Sequence, residues 1–308
     1  MRLRSSLGRG AVLGCALAAI LPATGPTALA ATSPTTQLGG LPMTSLDGKI
    51  SYVPEDPSSG THAKSLASTE QTSTAASTGY DISWPQCGGA MPPSSSVAIV
   101  GVDDGHPFSQ NPCLKQEAAW AATATQRAQY MVVDSPVGWS SPNVLKYAYH
   151  GPAGDCASTD YQCQSYNWGY NAAYADVEYA DSEGATSSQW WLDVELPSST
   201  SIDPSGADCY QGNFWVCDQK LNSTVILGAV TALRAQGKQV GVYSTQTQWQ
   251  SITDGLPLGV PIWIAGFDYA PATYCDPANA TDYWFALGYP EYVQSLPATY
   301  DPDTSCLG

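Results

Sequence analysis

The stretch Trp190-Trp191-Leu192-Asp193-Val194-Glu195 decides how the chain is read. Its apolar β-formers alternate with acids, and on a strand residues i and i+2 point to the same face, roughly 6.5–7 Å apart at their Cα atoms. Asp193 and Glu195 then project together while Leu192 and Val194 pack on the opposite side. Two charges on an apolar strand cost several kcal/mol each unless they are paired or used. Closely spaced carboxyls also raise one another's pKa, which sets a protonated acid beside an ionised one. The alternative is a structural pair held in a cap or a salt-bridge network. The same three letters recur as Asp176-Val177-Glu178 inside YNWGYNAAYADVEYADSEG. That stretch reads as a helix, where i and i+2 diverge by about 200°, so this copy is expected on a solvated helix surface.

Outward from that strand, apolar runs alternate with helical patterns. The runs are Tyr80–Trp84, Val97–Val102, Tyr130–Val133, Trp190–Leu196, Gln239–Ser244, Pro261–Ala265, Tyr283–Leu287 and, weakly, Ala298–Tyr300. The helices are read at Leu114–Gln129, Tyr166–Ser182, Leu221–Gln236 and Thr247–Thr253, with Gly237 as a stop signal. Strands alternating with helices imply a parallel sheet with crossovers. Eight of them close a TIM-like (β/α)8 barrel, usually of ~250 residues. A doubly wound open sheet is the alternative, but no Gly-rich fingerprint follows the first strand. The segments 138–164 and 197–219 read as loops pinned by local cysteine pairs.

The N-terminus carries a basic stretch, the short apolar run AVLGCALAAIL and an Ala28-Leu29-Ala30 cleavage motif. Residues 1–30 read as a secretory signal removed after Ala30, so the expected location is extracellular or the cell wall. Arg2 and Arg4 are separated by Leu3, so no twin-arginine pair is present, and only four apolar residues precede Cys15 in its faint lipoprotein-like context. Residues 31–78 are rich in Ser, Thr, Ala and Pro and read as a disordered linker or propeptide. Residues 79–308 read as one domain.

Apart from Cys15, the nine cysteines leave an even set: Cys87, Cys113, Cys156, Cys163, Cys209, Cys217, Cys275 and Cys306. In an exported chain these imply disulfides, and order and proximity suggest 87–113, 156–163, 209–217 and 275–306. Charge narrows the partners. The chain holds 11 Lys+Arg against 27 Asp+Glu, a net charge of −16. Losing Arg2, Arg4 and Arg9 with the signal leaves 11 − 3 = 8 basic residues against all 27 acids, or −19. Such a surface repels phosphate backbones, which argues against nucleic acid. No later run is long enough to span a bilayer. Three histidines, His62, His106 and His150, offer little for a histidine metal site, and no cofactor or metal is expected. No G-x-S-x-G elbow occurs, so a serine hydrolase is set aside. The expected state is a monomer.

Barrel enzymes keep their chemistry at the C-terminal strand ends, and here those ends are acidic. Asp81 lies in the first run, Asp103 and Asp104 end the second, and Asp134 ends the third. Asp193 and Glu195 finish the fourth, Asp268 follows the sixth, and Asp301 and Asp303 follow the last. Glycoside cleavage needs such a set, with one acid protonating the leaving oxygen and an anion facing the oxocarbenium-like centre. Tyr and Trp, at 18 and 10 against 4 Phe, suit sugar faces and interfaces alike.

The motifs GYDISWPQCG, VAIVGV, WWLDVEL, GVYST, PIWIAG and ATYDPD, in this order over residues 79–308, resemble the family 25 glycoside hydrolases, the secreted lysozyme-type muramidases. The resemblance implies a (β/α)8-like barrel that hydrolyses the β-1,4 bond between N-acetylmuramic acid and N-acetylglucosamine in peptidoglycan or a related polysaccharide. By position it makes Glu195 the general acid and Asp193 the group that orients the acetamido substituent or stabilises the transition state. Asp81 becomes a supporting acid and Asp301 the acid near the end of the barrel, with Asp303 an alternative match. Trp84, Tyr243 and Trp263 become sugar-stacking or cleft-wall residues, with core packing the other reading for each. The chain departs from the family at Asp103-Asp104-Gly105, where Thr-Glu-Gly is more usual, leaving Asp104 as a substitute, and at Pro85, Cys87 and the inserted segment 139–165. A catalytically silent barrel that binds wall glycan is therefore the second reading, and a disulfide-stabilised exported protein without a glycan ligand the third.

Overall fold

The computed structural model describes residues 76–136, 142–196, 215–296 and 299–307, together with an antiparallel pair of two-residue strands, Ser45–Leu46 and Lys49–Ile50. The expected signal sequence, Cys209 and most of the segment 197–219 lie outside the described residues. The described residues from 76 to 307 belong to one compact unit, separate from the unit that holds the short ribbon.

Eight strands of the larger unit close a barrel in which neighbours in sequence are neighbours in space. They are β1 (Thr78–Ile82), β2 (Val97–Gly101), β3 (Gln126–Val132), β4 (Gln189–Asp193), β5 (Gln239–Ser244), β6 (Ile262–Ala265), β7 (Pro290–Gln294) and β8 (Asp301–Ser305). From β1 to β7 every pairing is parallel. Strand β8 runs antiparallel to both β7 and β1. Helices cover only part of the outside. They are α1 (Leu114–Ala121), α2 (Pro142–Tyr149), α3 (Tyr161–Glu183), α4 (Gln219–Ala235), α5 (Gln246–Thr253), α6 (Pro271–Cys275) and α7 (Ala280–Tyr283). Between β1 and β2 stands a single 3-10 turn, Trp84–Gln86, and no helix separates β7 from β8. The closed barrel is as expected, but a regular all-parallel (β/α)8 is not what the chain builds. A parallel crossover needs a dozen or more residues, and the few residues between Gln294 and Asp301 allow only a reversal.

Two strands lie away from the apolar runs that suggested them. Tyr283–Leu287 is apolar enough for a strand, yet Ala286 and Leu287 adopt φ of 54° and 53°, a left-handed conformation that breaks the pleat. The seventh strand comes later, at Pro290–Gln294, where Tyr292 faces the lumen and Val293 the outer shell. The eighth begins at Asp301, just after the run assigned to it. Helix α1 also stops at Ala121, well short of Gln129, and β3 takes Gln126–Gln129 into the barrel. Gln129 is buried on that strand's outer face, its Oε1 accepting the Ser187 amide at 3.0 Å, so a polar residue hides the alternation. The segment 138–164 contains α2 and a two-residue ribbon, His150–Gly151 with Gly154–Asp155, rather than loop alone.

Helix ends follow their capping residues. The Asp160 carboxylate accepts the Cys163 amide to start α3, and Gly184 ends it at φ 82°. Asp218 caps α4 through the Lys220 and Leu221 amides. These two helices pack closely because Gly169 lets them: a Cβ there would lie 1.9 Å from the Val225 carbonyl oxygen. Disulfides Cys87–Cys113, Cys156–Cys163 and Cys275–Cys306 form as the spacing suggested. Cys217 is also disulfide-bonded.

The lumen is filled, not hollow. Val97, Ile99, Ala128, Tyr130, Trp191, Tyr243, Trp263, Ala265 and Tyr292 form an inner core distinct from the outer helix-facing core of Ile82, Val100, Met131, Leu192, Val194 and their neighbours. Trp191 stands edge-on to Trp263 and Tyr292 at 6.0 and 5.7 Å. It fits because β5 presents Gly241 beside it, where a Cβ would lie 2.1 Å from the indole. Gly241→Ala is therefore expected to destabilise the fold by about 1–3 kcal/mol, the cost of overpacking a filled core. Denaturant unfolding monitored by tryptophan fluorescence would measure it, and an unchanged midpoint would contradict this packing account.

Candidate active site

Above the aromatic plug, the next inward positions of several strands are acids. Asp81 on β1 is level with Ile99 of β2 and directly opposite Asp301 of β8. Asp193 ends β4 beside Tyr243 of β5. Beyond Asp193 the extended backbone continues, with the Val194 amide donating to the Tyr243 carbonyl at 3.0 Å and Val194 buried in the outer core. Glu195 thus returns to the side of Asp193, near enough that its charge opposes ionisation of Asp193. Both residues are partly exposed, although Oδ1 of Asp193 is sealed and accepts no hydrogen bond.

Neutral donors hold this cluster. The Gln294 amide nitrogen donates to Asp81 Oδ2 at 2.9 Å while its Oε1 accepts the Tyr243 hydroxyl at 2.6 Å. The Trp263 indole donates to Asp303 Oδ1 at 2.8 Å. Asp303 lies near enough to Asp81 that the charge of Asp81 opposes its ionisation. The Gln248 side chain, set at the start of α5 by the Thr245 cap, lies 3.4 Å from Glu195 Oε1. Among the described residues the salt bridges are His150–Asp155 and Lys238–Asp181, so no lysine or arginine neutralises these acids.

The electrostatics follow from that composition. Burial, then the charge of Asp301, raises Asp81 to about 8. Burial, then the charge of Asp81, pushes Asp303 well above the carboxylate range, with the Trp263 indole opposing the shift. Asp193 is raised well above the ordinary value by burial and then by Glu195, Asp103 and Asp81. Glu195 is raised by burial, with the Gln248 amide opposing the shift. Asp103 is pushed up to about 7 by burial, although the Val132 and Gly105 amides bind its two oxygens at 2.6 and 2.9 Å.

The structure brings together Asp81, Asp193, Glu195, Asp301 and Asp303. Trp84 is 46% exposed on the 3-10 turn after β1, its indole nitrogen over Gly105, so it stands on the same rim. Tyr243 and Trp263 are buried lumen residues, Trp263 donating to Asp303 and Tyr243 to the Gln294 side chain that holds Asp81, rather than a sugar-stacking wall. Asp104 points to solvent while its neighbour Asp103 turns inward. Asp268 is exposed on the loop after β6, its amide donating to the Tyr274 hydroxyl. Asp134 is fully buried against α3, accepting the Trp168 indole at 3.2 Å, and does not reach the cleft.

Asp176 corrects an expectation. It is 1% exposed, not solvated, because α3 turns that face toward the barrel, where burial and the nearby Asp103 raise it well above the ordinary value. Glu178, on the diverging face, is exposed as read. Gln294, Gln248 and Tyr130 carried no sequence signal as site residues, being neutral; period-2 alternation could have found Gln294 had its strand been placed correctly. Among the described residues no group of His, Cys, Asp and Glu is arranged to hold a metal ion, and no helix is long and apolar enough to cross a membrane.

No protein-family model matches the chain. Two curated proteins of Dictyostelium discoideum are similar to it. One, named Probable GH family 25 lysozyme 2, is 27% identical over 114 residues, covering 36% of this chain and 46% of its own length. The other, Probable GH family 25 lysozyme 4, is 31% identical over 106 residues, covering 34% and 36%. The chain spans less than half the length of these relatives. Among solved structures, a glycosyl hydrolase 25 of Streptococcus pneumoniae aligns over 73% of this chain and 84% of its own, at 15% identity and a TM-score of 0.39. The catalytic domain of endolysin ply40 from a Listeria monocytogenes bacteriophage aligns over 76% and 94%, at 14% identity and 0.39. The resemblance read from the motifs thus extends to curated family 25 lysozymes.

Acids with raised folded-state pKa values bind more protons than the unfolded chain. From the unfolded value of 3.8 up to about 7 for Asp103 and about 8 for Asp81, stability falls as pH rises. The midpoint of thermal unfolding is expected to be highest at about pH 4, to fall steadily above it and to be distinctly lower at pH ~8. A calorimetric series across that range checks this, and a flat or rising profile would refute it.

Proposed function

We propose that the chain is an exported glycosidase of the lysozyme type that cleaves peptidoglycan or a closely related polysaccharide. One observation carries this reading: Glu195 and Asp193 emerge side by side at the mouth of a closed barrel, uncompensated by any cation among the described residues. Sequence similarity to curated proteins named family 25 lysozymes supports it. The Ala28-Leu29-Ala30 motif and the disulfides support export, since such bonds persist in oxidising compartments.

In this reading Glu195, raised by burial and partly exposed, is the proton donor and delivers its proton to the glycosidic oxygen as the bond to the anomeric carbon breaks. Asp193 sits behind it with a sealed oxygen and takes up the orientation of the N-acetyl group or, once ionised, the stabilisation of positive charge at the anomeric carbon. Asp81, with its charge regulated by Asp303, is the supporting acid at the barrel's centre, and Asp301 flanks it. Trp84 offers an exposed ring to the apolar face of a sugar.

Glu195→Gln removes the transferable proton but keeps the shape. It is expected to lower release of reducing ends from purified peptidoglycan by about 100-fold or more, with the thermal midpoint nearly unchanged. Equal cleavage by both proteins would exclude Glu195 as the acid. Glycan binding with cleavage by neither would instead favour a silent, glycan-binding barrel.

A further inference from the structure

The loop leaving β6 contains an aromatic group unused by the chemistry above. Tyr269 is 56% exposed. Its ring lies 5.8 Å from that of Tyr283 on α7, tilted by 52°, and 6.1 Å from Tyr274. Tyr274 is buried beneath them, 4.7 Å from Tyr283, and its hydroxyl receives the Asp268 amide at 3.2 Å. The two outer rings, Tyr269 exposed and Tyr283 half-buried, therefore meet in a V over a packed base. The Cys275–Cys306 disulfide ties the end of α6 to the end of β8, and the Trp284 indole donates to the Tyr274 carbonyl at 2.9 Å. These restraints hold the V before any ligand arrives, which lowers the ordering cost of binding.

Its position links it to the acids. β6 is parallel to β5 and β5 to β4, so the loop after Ala265 opens on the same rim as Glu195, two strands away and roughly 10 Å around the barrel. Helix α5 bridges the two places. Gln248 approaches Glu195 from its first turn, and Gln246, at its start, donates to the Thr281 carbonyl of α7 at 2.7 Å.

The chemistry of the V selects its occupant. Residues 239–308 contain no lysine or arginine, while Asp268 and Asp282 flank Tyr269 and Tyr283 and are exposed. Phosphate-bearing or acidic ligands are repelled. An exposed ring beside a half-buried one, bordered by hydroxyl and carboxylate acceptors, suits a neutral sugar ring, whose apolar face stacks while its hydroxyls donate. Continuity with the acid-bearing rim favours a sugar over a basic peptide, which the same acids would also attract.

We propose that Tyr269 and Tyr283 form a distal subsite that stacks a neutral N-acetylhexosamine of the same glycan strand whose cleavage is assigned to Glu195. This rests on the glycosidase reading and extends it from a cleavage point to a length preference: longer strands engage the distal rings as well as the acids, and short ones only the acids.

The test uses peptide-free peptidoglycan glycan fragments with their lactyl carboxyls capped as amides, a tetrasaccharide and an octasaccharide, titrated calorimetrically into Glu195→Gln protein and into the same protein carrying Tyr269→Ala or Tyr269→Phe. Tyr269→Ala is expected to weaken octasaccharide binding about tenfold, the loss of one aromatic stacking contact, while leaving the tetrasaccharide unchanged. Tyr269→Phe keeps the ring and is expected to stay near the parent. Because Tyr269 is exposed, thermal melts of the variants should coincide. Binding that does not depend on length, or an equal loss for both fragments, overturns the subsite and leaves the glycosidase reading standing. Binding of neither fragment by the parent overturns both. Capture of an oligolysine peptide at the V in preference to the octasaccharide overturns the sugar assignment alone.

Discussion

The structure depends on a crowding of like charge. Inward positions of β1, β4 and β8 bring Asp81, Asp193, Asp301 and Asp303 to one end of a barrel, and Glu195 and Asp103 join them. Ion pairing would be the ordinary remedy, but among the described residues no lysine or arginine takes part. The neighbours are a glutamine amide, an indole and a tyrosine hydroxyl. Such neutral donors stabilise a carboxylate less than a cation does, so the cluster lowers its energy by keeping protons. A floor that retains protons near neutrality is what acid-assisted bond cleavage requires, and the folding cost and the chemistry thus come from one arrangement.

Much of this was legible in the sequence. The 190–195 alternation gave the shared face of Asp193 and Glu195 because a pleated strand leaves its side chains two directions only. Local cysteine spacing anticipated three bridges because short loops close most readily. What escaped notice has physical causes. At 283–287 composition favoured a strand, but positive φ at Ala286 and Leu287 is set by packing rather than propensity. Asp176 looked like a solvent residue because helical phase says which residues share a face, not what the face meets. Gln294 and Gln248 were invisible because neutral amides are common everywhere and gain meaning only from the acids they touch.

The aromatic excess divides in a way composition could not show. Trp191, Tyr243, Trp263 and Tyr292 fill the lumen, where large flat side chains close a barrel beside Gly241 without leaving a channel. Their polar ends then become useful: Tyr243 and Trp263 hand hydrogen bonds upward to Gln294 and Asp303. The plug below the acids is therefore also their support. Trp84 and Tyr269 remain at the rim with rings exposed.

The reversed last strand ties topology to chemistry. Parallel strands offer the rim only their C-terminal residues, and for β8 run that way the residue presented would be Ser305. Running antiparallel, β8 instead enters at the rim, so its first residue, Asp301, stands opposite Asp81, and Asp303 lies one inward position deeper, within reach of the Trp263 indole. Two acids at successive depths follow from one change of direction. The deeper one is buried, which holds it well above the carboxylate range, while the shallower one remains near solvent. Without that reversal Asp81 would lose the charge of Asp301 that adds to burial in raising its pKa, and the central carboxyl would behave as an isolated buried acid.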